Sequence, residues 1–212
     1  MDYKTFEKDK YIFVKNAVSK DMCSLLTNYT LMKQEHEPNL EDAMVANTHA
    51  TYADHAMEAL LVNLLPIVEA QTKLTLYPTY SFYRVYKPGD VLKRHKDRPS
   101  CEISVSLTLG YEYSSENKDY NWTLWAGDTE FKFFPGDMLI YRGLELSHWR
   151  EPFNVKSGWQ SQVFLHYVDA NGPYSNLIHD TRPNLGYPVF TRDNVLLENA
   201  SVLSNSLLNK NV

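Results

Sequence analysis

The chain has 212 residues and a formal net charge of -5, with 21 Lys and Arg against 26 Asp and Glu and a hydrophobic share of 43%. That length and composition fit one globular domain, and the acidic balance argues against general nucleic-acid binding. No apolar run is long enough to span a membrane, two cysteines do not make a disulfide scaffold, and Met1-Asp2-Tyr3-Lys4 opens no basic-then-apolar leader, so a cytosolic protein in a reducing compartment is expected.

In chain order, residues 11–15 (Tyr-Ile-Phe-Val-Lys) read as a strand, and Ser19 as the cap of a helix running to about Gln34. Residues 35–51 are polar and lack periodicity, which predicts a loop. Across residues 54–73, Met57, Leu60, Leu61, Leu64, Leu65 and Val68 form the stripe of a helix packed on a sheet, with Pro66 as a kink or a break. A strand of aromatic and branched residues, Phe82-Tyr83-Arg84-Val85-Tyr86, then stops at Lys87-Pro88-Gly89-Asp90. Residues 101–109 alternate polar and apolar, the period of a half-buried strand, and place Cys101 within it as a small buried residue. A polar excursion at 114–119 follows, then a second turn, Pro135-Gly136-Asp137, feeding a strand through Tyr141. Residues 160–167 give the last strand, after which the pattern decays through Asn171-Gly172-Pro173 into a tail with an apolar-polar stretch near 195–208.

Two segments carry chemistry. Residues two apart on a strand project to one side, so His95 and Asp97 of His95-Lys96-Asp97 can enter one cavity, to which a distant strand returns His148 of Leu146-Ser147-His148-Trp149-Arg150. Two neutral imidazoles and one carboxylate suit Fe(II) and leave its opposite face open. A His-x-Asp string arises by chance roughly 0.4 times in a chain of this composition, so its context decides more than the tripeptide does.

That context resembles the Fe(II)- and 2-oxoglutarate-dependent oxygenases, in their prolyl 4-hydroxylase-like branch. Tyr86-x-Pro-Gly precedes His95-x-Asp97, Pro-Gly-Asp precedes the distal strand, and His148 follows, all in the family's order, over about residues 80–168. The resemblance implies a mainly β, α+β chain. Its core would be a double-stranded β-helix, or jelly-roll, over about 77–170, with a supporting N-terminal strand and helices in 1–76 and a C-terminal arm in 171–212. It implies Fe(II), 2-oxoglutarate and O2, with ascorbate as a candidate addition, and hydroxylation of a substrate C–H bond coupled to decarboxylation of 2-oxoglutarate to succinate and CO2. The substrate would be a peptidyl proline or a small molecule, with no nucleic-acid or membrane partner.

The far carboxylate of 2-oxoglutarate would be buried and needs a cation. Tyr86 matches a family tyrosine that contacts this co-substrate, but the family's Lys or Arg nine or ten residues after the distal His is Ser157 or Gly158 here. Arg84 is the first replacement, two residues before Tyr86 and at the offset of a co-substrate contact in the nucleic-acid demethylase branch. Lys156 is the second, Arg150 the third, and Arg142 a remoter one. Arg98 is expected either to hold the Asp97 carboxylate or to reach substrate, among a cluster of Lys87, Lys93, Arg94 and Lys96. No catalytic group beyond the metal site is expected. His49, His55, His166 and His179 read as structural, and Trp122, Trp125, Trp149 and Trp159 as core. The other readings are a cupin-like metal isomerase or hydrolase and a jelly-roll binding or structural module without catalysis. Succinate formation separates the first reading from both.

Overall fold

In the computed structural model, which describes residues 3–36, 44–45, 48–114 and 119–187, the strands form two facing antiparallel sheets with helices outside one of them. In order the elements are α1 (Tyr3–Asp9), β1 (Tyr11–Val14), α2 (Lys20–His36), β2 (His49–Tyr52), α3 (His55–Thr72), β3 (Leu76–Tyr86), β4 (Leu92–His95), β5 (Ile103–Ser114), β6 (Leu124–Ala126), β7 (Thr129–Phe131), β8 (Met138–Arg142), β9 (His148–Arg150) and β10 (Ser157–Asp169). A short 3-10 turn lies at Pro99–Cys101, and Ser175–Thr181 is a 3-10 segment broken by a kink at Ile178 to Asp180. The major sheet runs β1-β8-β5-β10-β3-β2 and the minor sheet β4-β9-β6-β7, the two walls of a jelly-roll. None of the described helices is long and apolar enough to cross a membrane.

The alternation in β5 sorts its side chains between two environments. Ile103, Val105, Leu107 and Leu109 face α2 and α3 and join Val163 and Leu165 of β10, Ile140 of β8 and Leu60, Leu61 and Leu64 of α3 in one core. Ser104, Ser106 and Thr108 point the other way and are just as buried, because the minor sheet covers them. The strand is therefore buried on both faces as far as Gly110, not half-buried as its alternation predicts. Its polar face is satisfied from β10: Thr108 donates to Gln162 Oε1 at 2.8 Å and Gln162 Nε2 donates to Ser106 Oγ at 2.8 Å. At Gly110 a Cβ would strike the Thr27 side chain, so this glycine lets α2 lie close on the sheet. A second core, between the sheets, gathers Tyr86, Trp122, Leu124, Phe131, Phe133, Leu139, Tyr141 and Phe153.

Four local expectations change. His49–Tyr52, within the expected loop, forms an edge strand on β3 with His49 opposite Val85. Residues 37–43 and 46–47 of that loop, 115–118 of the polar excursion and 188–212 of the tail lie outside the described residues. α3 is continuous through Pro66, whose ring removes the bond to the Val62 carbonyl; Val62 is half exposed, so water can reach that carbonyl. Cys101 closes a 3-10 turn ahead of β5, and it and Cys23 are free and buried. The β6–β7 hairpin, turning at Gly127-Asp128, goes unnoticed in the sequence because each strand has only three residues.

α3 is tied to α2 through its cap. Asp54 accepts from the backbone N–H of Ala56 at 2.9 Å and Met57 at 3.2 Å, from the Tyr29 hydroxyl at 2.7 Å and from Lys33 Nζ at 2.8 Å. Asp54→Ala removes the cap and takes an acceptor from the Tyr29 hydroxyl and an anion from Lys33, so it is expected to cost about 2 kcal/mol. A urea midpoint lowered at unchanged slope would show it; an unchanged midpoint would show the cap to be dispensable.

Candidate metal centre

At the open mouth between the sheets, β4 and β9 pair with His95 directly opposite His148. Asp97 lies two residues past the end of β4, so strand alternation does not aim it; its backbone N–H donates to the Gly143 carbonyl at 2.9 Å and carries the carboxylate back to the histidines. Asp97 Oδ1 then stands 3.7 Å from His95 Nε2 and 3.5 Å from His148 Nε2. Donors about 2.1 Å from a shared ion lie roughly 3.0–3.4 Å apart for angles from 90° to tetrahedral, so each Asp97–histidine separation needs only a slight contraction to share an ion, and all three donor atoms lie within 4.8 Å of one another. The two imidazoles are oriented alike. His95 Nδ1 lies 2.7 Å from the Lys93 carbonyl and His148 Nδ1 3.1 Å from that of Leu146, each two residues upstream. A carbonyl can only accept, so each Nδ1 carries the proton and each Nε2 is left bare for metal. Burial, against the pull of Asp97, pushes the His148 imidazole below its ordinary pKa and keeps it in the neutral, ligating form.

The other Asp97 oxygen is also fixed. Oδ2 accepts from Ser104 Oγ at 2.7 Å, and Ser104 Oγ is 3.0 Å from His166 Nδ1. At Gly143 a Cβ would overlap the Asp97 carboxylate, the Cys101 carbonyl and the Ser104 hydroxyl, so no side chain fits there. Asp97, Cys101 and His166 form a second group close enough for an ion. Burial raises the Cys101 thiol far above its ordinary value, and Sγ is 3.0 Å from the Tyr80 hydroxyl. A protonated thiol is a poor ligand, which leaves His95, Asp97 and His148 as the set whose donor chemistry fits Fe(II).

A cavity of about 420 Å³ opens from these ligands, lined by Tyr52, Tyr80, Phe82, Arg84, Tyr86, Arg98, Tyr141, Phe164 and His166 among others. Arg84 and Tyr86 both face it, as their spacing on β3 predicts; Arg84 Nη1 donates to the Val45 carbonyl at 3.2 Å. Lys156 is exposed at the approach to β10 and is not among the lining residues. Arg98 does not hold Asp97: its guanidinium pairs with Asp180 through Nη1–Oδ1 at 2.8 Å and Nη2–Oδ2 at 2.6 Å, leaving Ser104 to hold the metal carboxylate. Arg98 still borders the cavity, over the Tyr80 ring at 4.6 Å.

Arg150 is no surface strand end. Projecting inward like His148, it has no exposed surface, with Nη1 donating to the Trp122 carbonyl and the guanidinium 4.9 Å over the Trp122 ring. Nε and Nη2 have no hydrogen-bond partner, and no carboxylate pairs with it among the described residues. Burial draws its pKa down to about 10. Sequence reasoning ranked it low because Trp149 and Glu151 flank it; the signal available was its even spacing from His148. Of the tryptophans, Trp122 is core as expected and Trp159 packs against the main core, but Trp125 and Trp149 are half-buried and stack on each other at 5.7 Å outside both cores; none lines the cavity. His166 was expected to be structural; it lines the cavity, and burial pushes its imidazole down to about 4.

Set beside known proteins, the chain matches no protein-family model and no curated protein sequence. Its fold is that of the jelly-roll oxygenases that use iron and 2-oxoglutarate. A Pseudomonas putida prolyl-4-hydroxylase aligns over 77% of this chain and 96% of its own at 14% identity and a TM-score of 0.59. The viral collagen prolyl hydroxylase of Paramecium bursaria Chlorella virus-1, in its 2-oxoglutarate complex, aligns over 74% and 95% at 16% identity and 0.56. The α-ketoglutarate-dependent epimerase SnoN of nogalamycin biosynthesis aligns over 79% and 81% at 10% identity and 0.64. At these identities the likeness is one of fold.

His95→Ala, Asp97→Ala and His148→Ala should each abolish high-affinity Mn(II) binding in a calorimetric titration while the circular dichroism spectrum is kept. Asp97→Glu should bind weakly, because one methylene displaces an oriented donor by more than such a site tolerates. A variant titrating like the parent would remove that residue from the ligand set.

Proposed function

We propose that this chain is an Fe(II)- and 2-oxoglutarate-dependent oxygenase that hydroxylates a C–H bond, of a peptidyl proline or a small molecule, and releases succinate and CO2. The observation that carries this reading beyond the fold is the fully buried guanidinium of Arg150, paired with no carboxylate among the described residues; it does not line the cavity that begins at the three-donor group, but its electrostatic neighbours Tyr86 and Tyr141 do. An unpaired buried cation is costly, and a carboxylate arriving from outside the chain relieves that cost. Iron, when bound, would supply redox chemistry at the open side of the triad.

The residues divide the work along the cavity. His95, Asp97 and His148 would hold the metal by neutral Nε2 atoms and one carboxylate oxygen. Tyr86 and Arg150 would hold the far carboxylate of 2-oxoglutarate, with Arg84 on the same wall, and the Trp122, Phe133 and Phe153 rings behind them keep water away and strengthen that charge pairing. Tyr52, Tyr80, Phe82 and Phe164 would wall the substrate against the metal's open side.

Succinate release in the presence of Fe(II), 2-oxoglutarate and O2, screened over proline-containing peptides and small metabolites, tests the reaction; no succinate with any of them would return the cupin-like or binding-module readings. For the anchor, Arg150→Met should raise the 2-oxoglutarate requirement by roughly ten- to a thousandfold, as expected on losing a charge-assisted contact to a buried anion. Arg84→Met should rank next, Tyr86→Phe should lose one hydroxyl's worth, and Lys156→Met should do little, with Mn(II) affinity unchanged in all four. A larger effect of Arg84→Met than of Arg150→Met would move the anchor onto β3.

A further inference from the structure

The hydrogen bonds around Ser104 fix where protons sit beside the metal carboxylate. Ser104 is fully buried, and its hydroxyl lies 2.7 Å from Asp97 Oδ2, 3.1 Å from the Cys101 carbonyl and 3.0 Å from His166 Nδ1, with the Tyr141 hydroxyl, which can either donate or accept, as a further neighbour. The carboxylate and the carbonyl can only accept. If Ser104 gave its proton to His166, its oxygen would turn lone pairs toward the carboxylate and the carbonyl at hydrogen-bonding distance, and the charge-assisted bond to Asp97 would be lost. The hydroxyl proton therefore goes to Asp97, the shorter and charge-assisted bond, and His166 must supply its own proton from Nδ1.

We propose that His166, Ser104 and Asp97 form a directed chain, Nδ1–H to Oγ and Oγ–H to Oδ2, in which Ser104 is a positioning residue that sets the rotamer of the metal carboxylate, and His166 presents a bare Nε2 to the cavity as an acceptor for a substrate N–H or O–H. The proposal rests on the reading of His95, Asp97 and His148 as a metal site. The chain explains why Oδ1, and not Oδ2, is the oxygen turned toward the two histidines: Oδ2 is already engaged. It also explains the place of His166. All three imidazoles around the cavity spend Nδ1 on a fixed acceptor, but His166 lies outside the donor set that can share an ion with His95 and His148. Its ring is held against Tyr80 at 4.5 Å, and Tyr80 is held in turn under Arg98 at 4.6 Å, so the acceptor belongs to the wall where substrate would lie. A substrate with a donor beside the oxidised carbon, such as an amide, amine or alcohol, is favoured over a hydrocarbon or an ether.

The test uses the full chain labelled with 15N-histidine, metal-free and loaded with Zn(II), with the His166 signals assigned by their loss in His166→Gln. A proton on Nδ1 and none on Nε2 is expected in both states; a proton on Nε2 overturns the proposal without any substitution in the reporting protein. In parallel, Ser104→Ala should weaken Mn(II) binding by about ten- to a hundredfold, the usual effect of losing a group that orients a ligand, and should alter the visible spectrum of the Co(II)-loaded protein. Parent-like Mn(II) affinity and Co(II) spectrum in Ser104→Ala, with binding lost in His95→Ala, overturns the chain alone. Binding retained in His95→Ala overturns the metal reading, and the proposal with it.

Discussion

A sheet covered on both faces leaves most of its inner side chains little water, and here the inner face of the central strands β5 and β10 is largely polar. Ser104, Ser106, Thr108, Gln160, Gln162 and His166 all point between the sheets and are buried. Each must find a partner inside or cost the fold its desolvation. Toward the closed end the answer is internal, with Gln160 donating to Gln162 at 3.3 Å, Thr108 donating to Gln162 and Gln162 donating to Ser106. Toward the open end Ser104 engages Asp97 and His166, so the same constraint that fills the barrel also aims the carboxylate proposed to hold the metal.

The buried guanidinium departs from this economy. Hydrophobic rings surround Arg150, and Trp122 gives it one carbonyl, but two of its donors are unmet. A protein can hold such a group when a ligand completes it, and the location, on the strand that carries His148 and beside the Tyr86 side of the cavity, ties the deficit to the metal site. Asp180 shows the opposite solution at the mouth. It receives both arms of Arg98 and the Tyr52 hydroxyl, which outweigh the effect of burial and hold it below the usual carboxylate range. It does so from a turn in which His179, Asp180 and Thr181 all have left-handed backbone, φ of 55°, 55° and 64°. Such residues are disfavoured by about 1–2 kcal/mol each, so the ion pair and the Arg182 bonds to Glu58 and Thr79 hold a strained segment against β3.

Much of this was legible in the chain. Alternation and the two Pro-Gly-Asp turns placed β3, β5, β8 and β10, and His95, Asp97 and His148 do converge. Alternation could not say that the polar face of β5 is inside, since Ser and Thr read the same against water as against Gln162. It also gave a wrong reason for Asp97, which is aimed by a backbone bond to Gly143 from outside any strand. Short strands such as His49–Tyr52 and the β6–β7 hairpin escape because three or four residues hold no period. Arg150 escapes because burial of a cation depends on residues distant in sequence, Trp122 and Phe133 in the connections around the β6–β7 hairpin above all.

The pairing of His95 with His148 joins positions far apart in the chain across two strands of four and three residues. Pairing of that kind is non-local and forms only as the barrel closes, so the unfolded chain offers an ion no comparable site. An ion held there acts as a clasp on the thinnest part of the wall. By mass action it stabilises the folded state by about 2.7 kcal/mol at a hundredfold excess over its dissociation constant. If the three side chains hold an ion as proposed, the persistence of the folded chain would follow the supply of free metal, independently of any turnover.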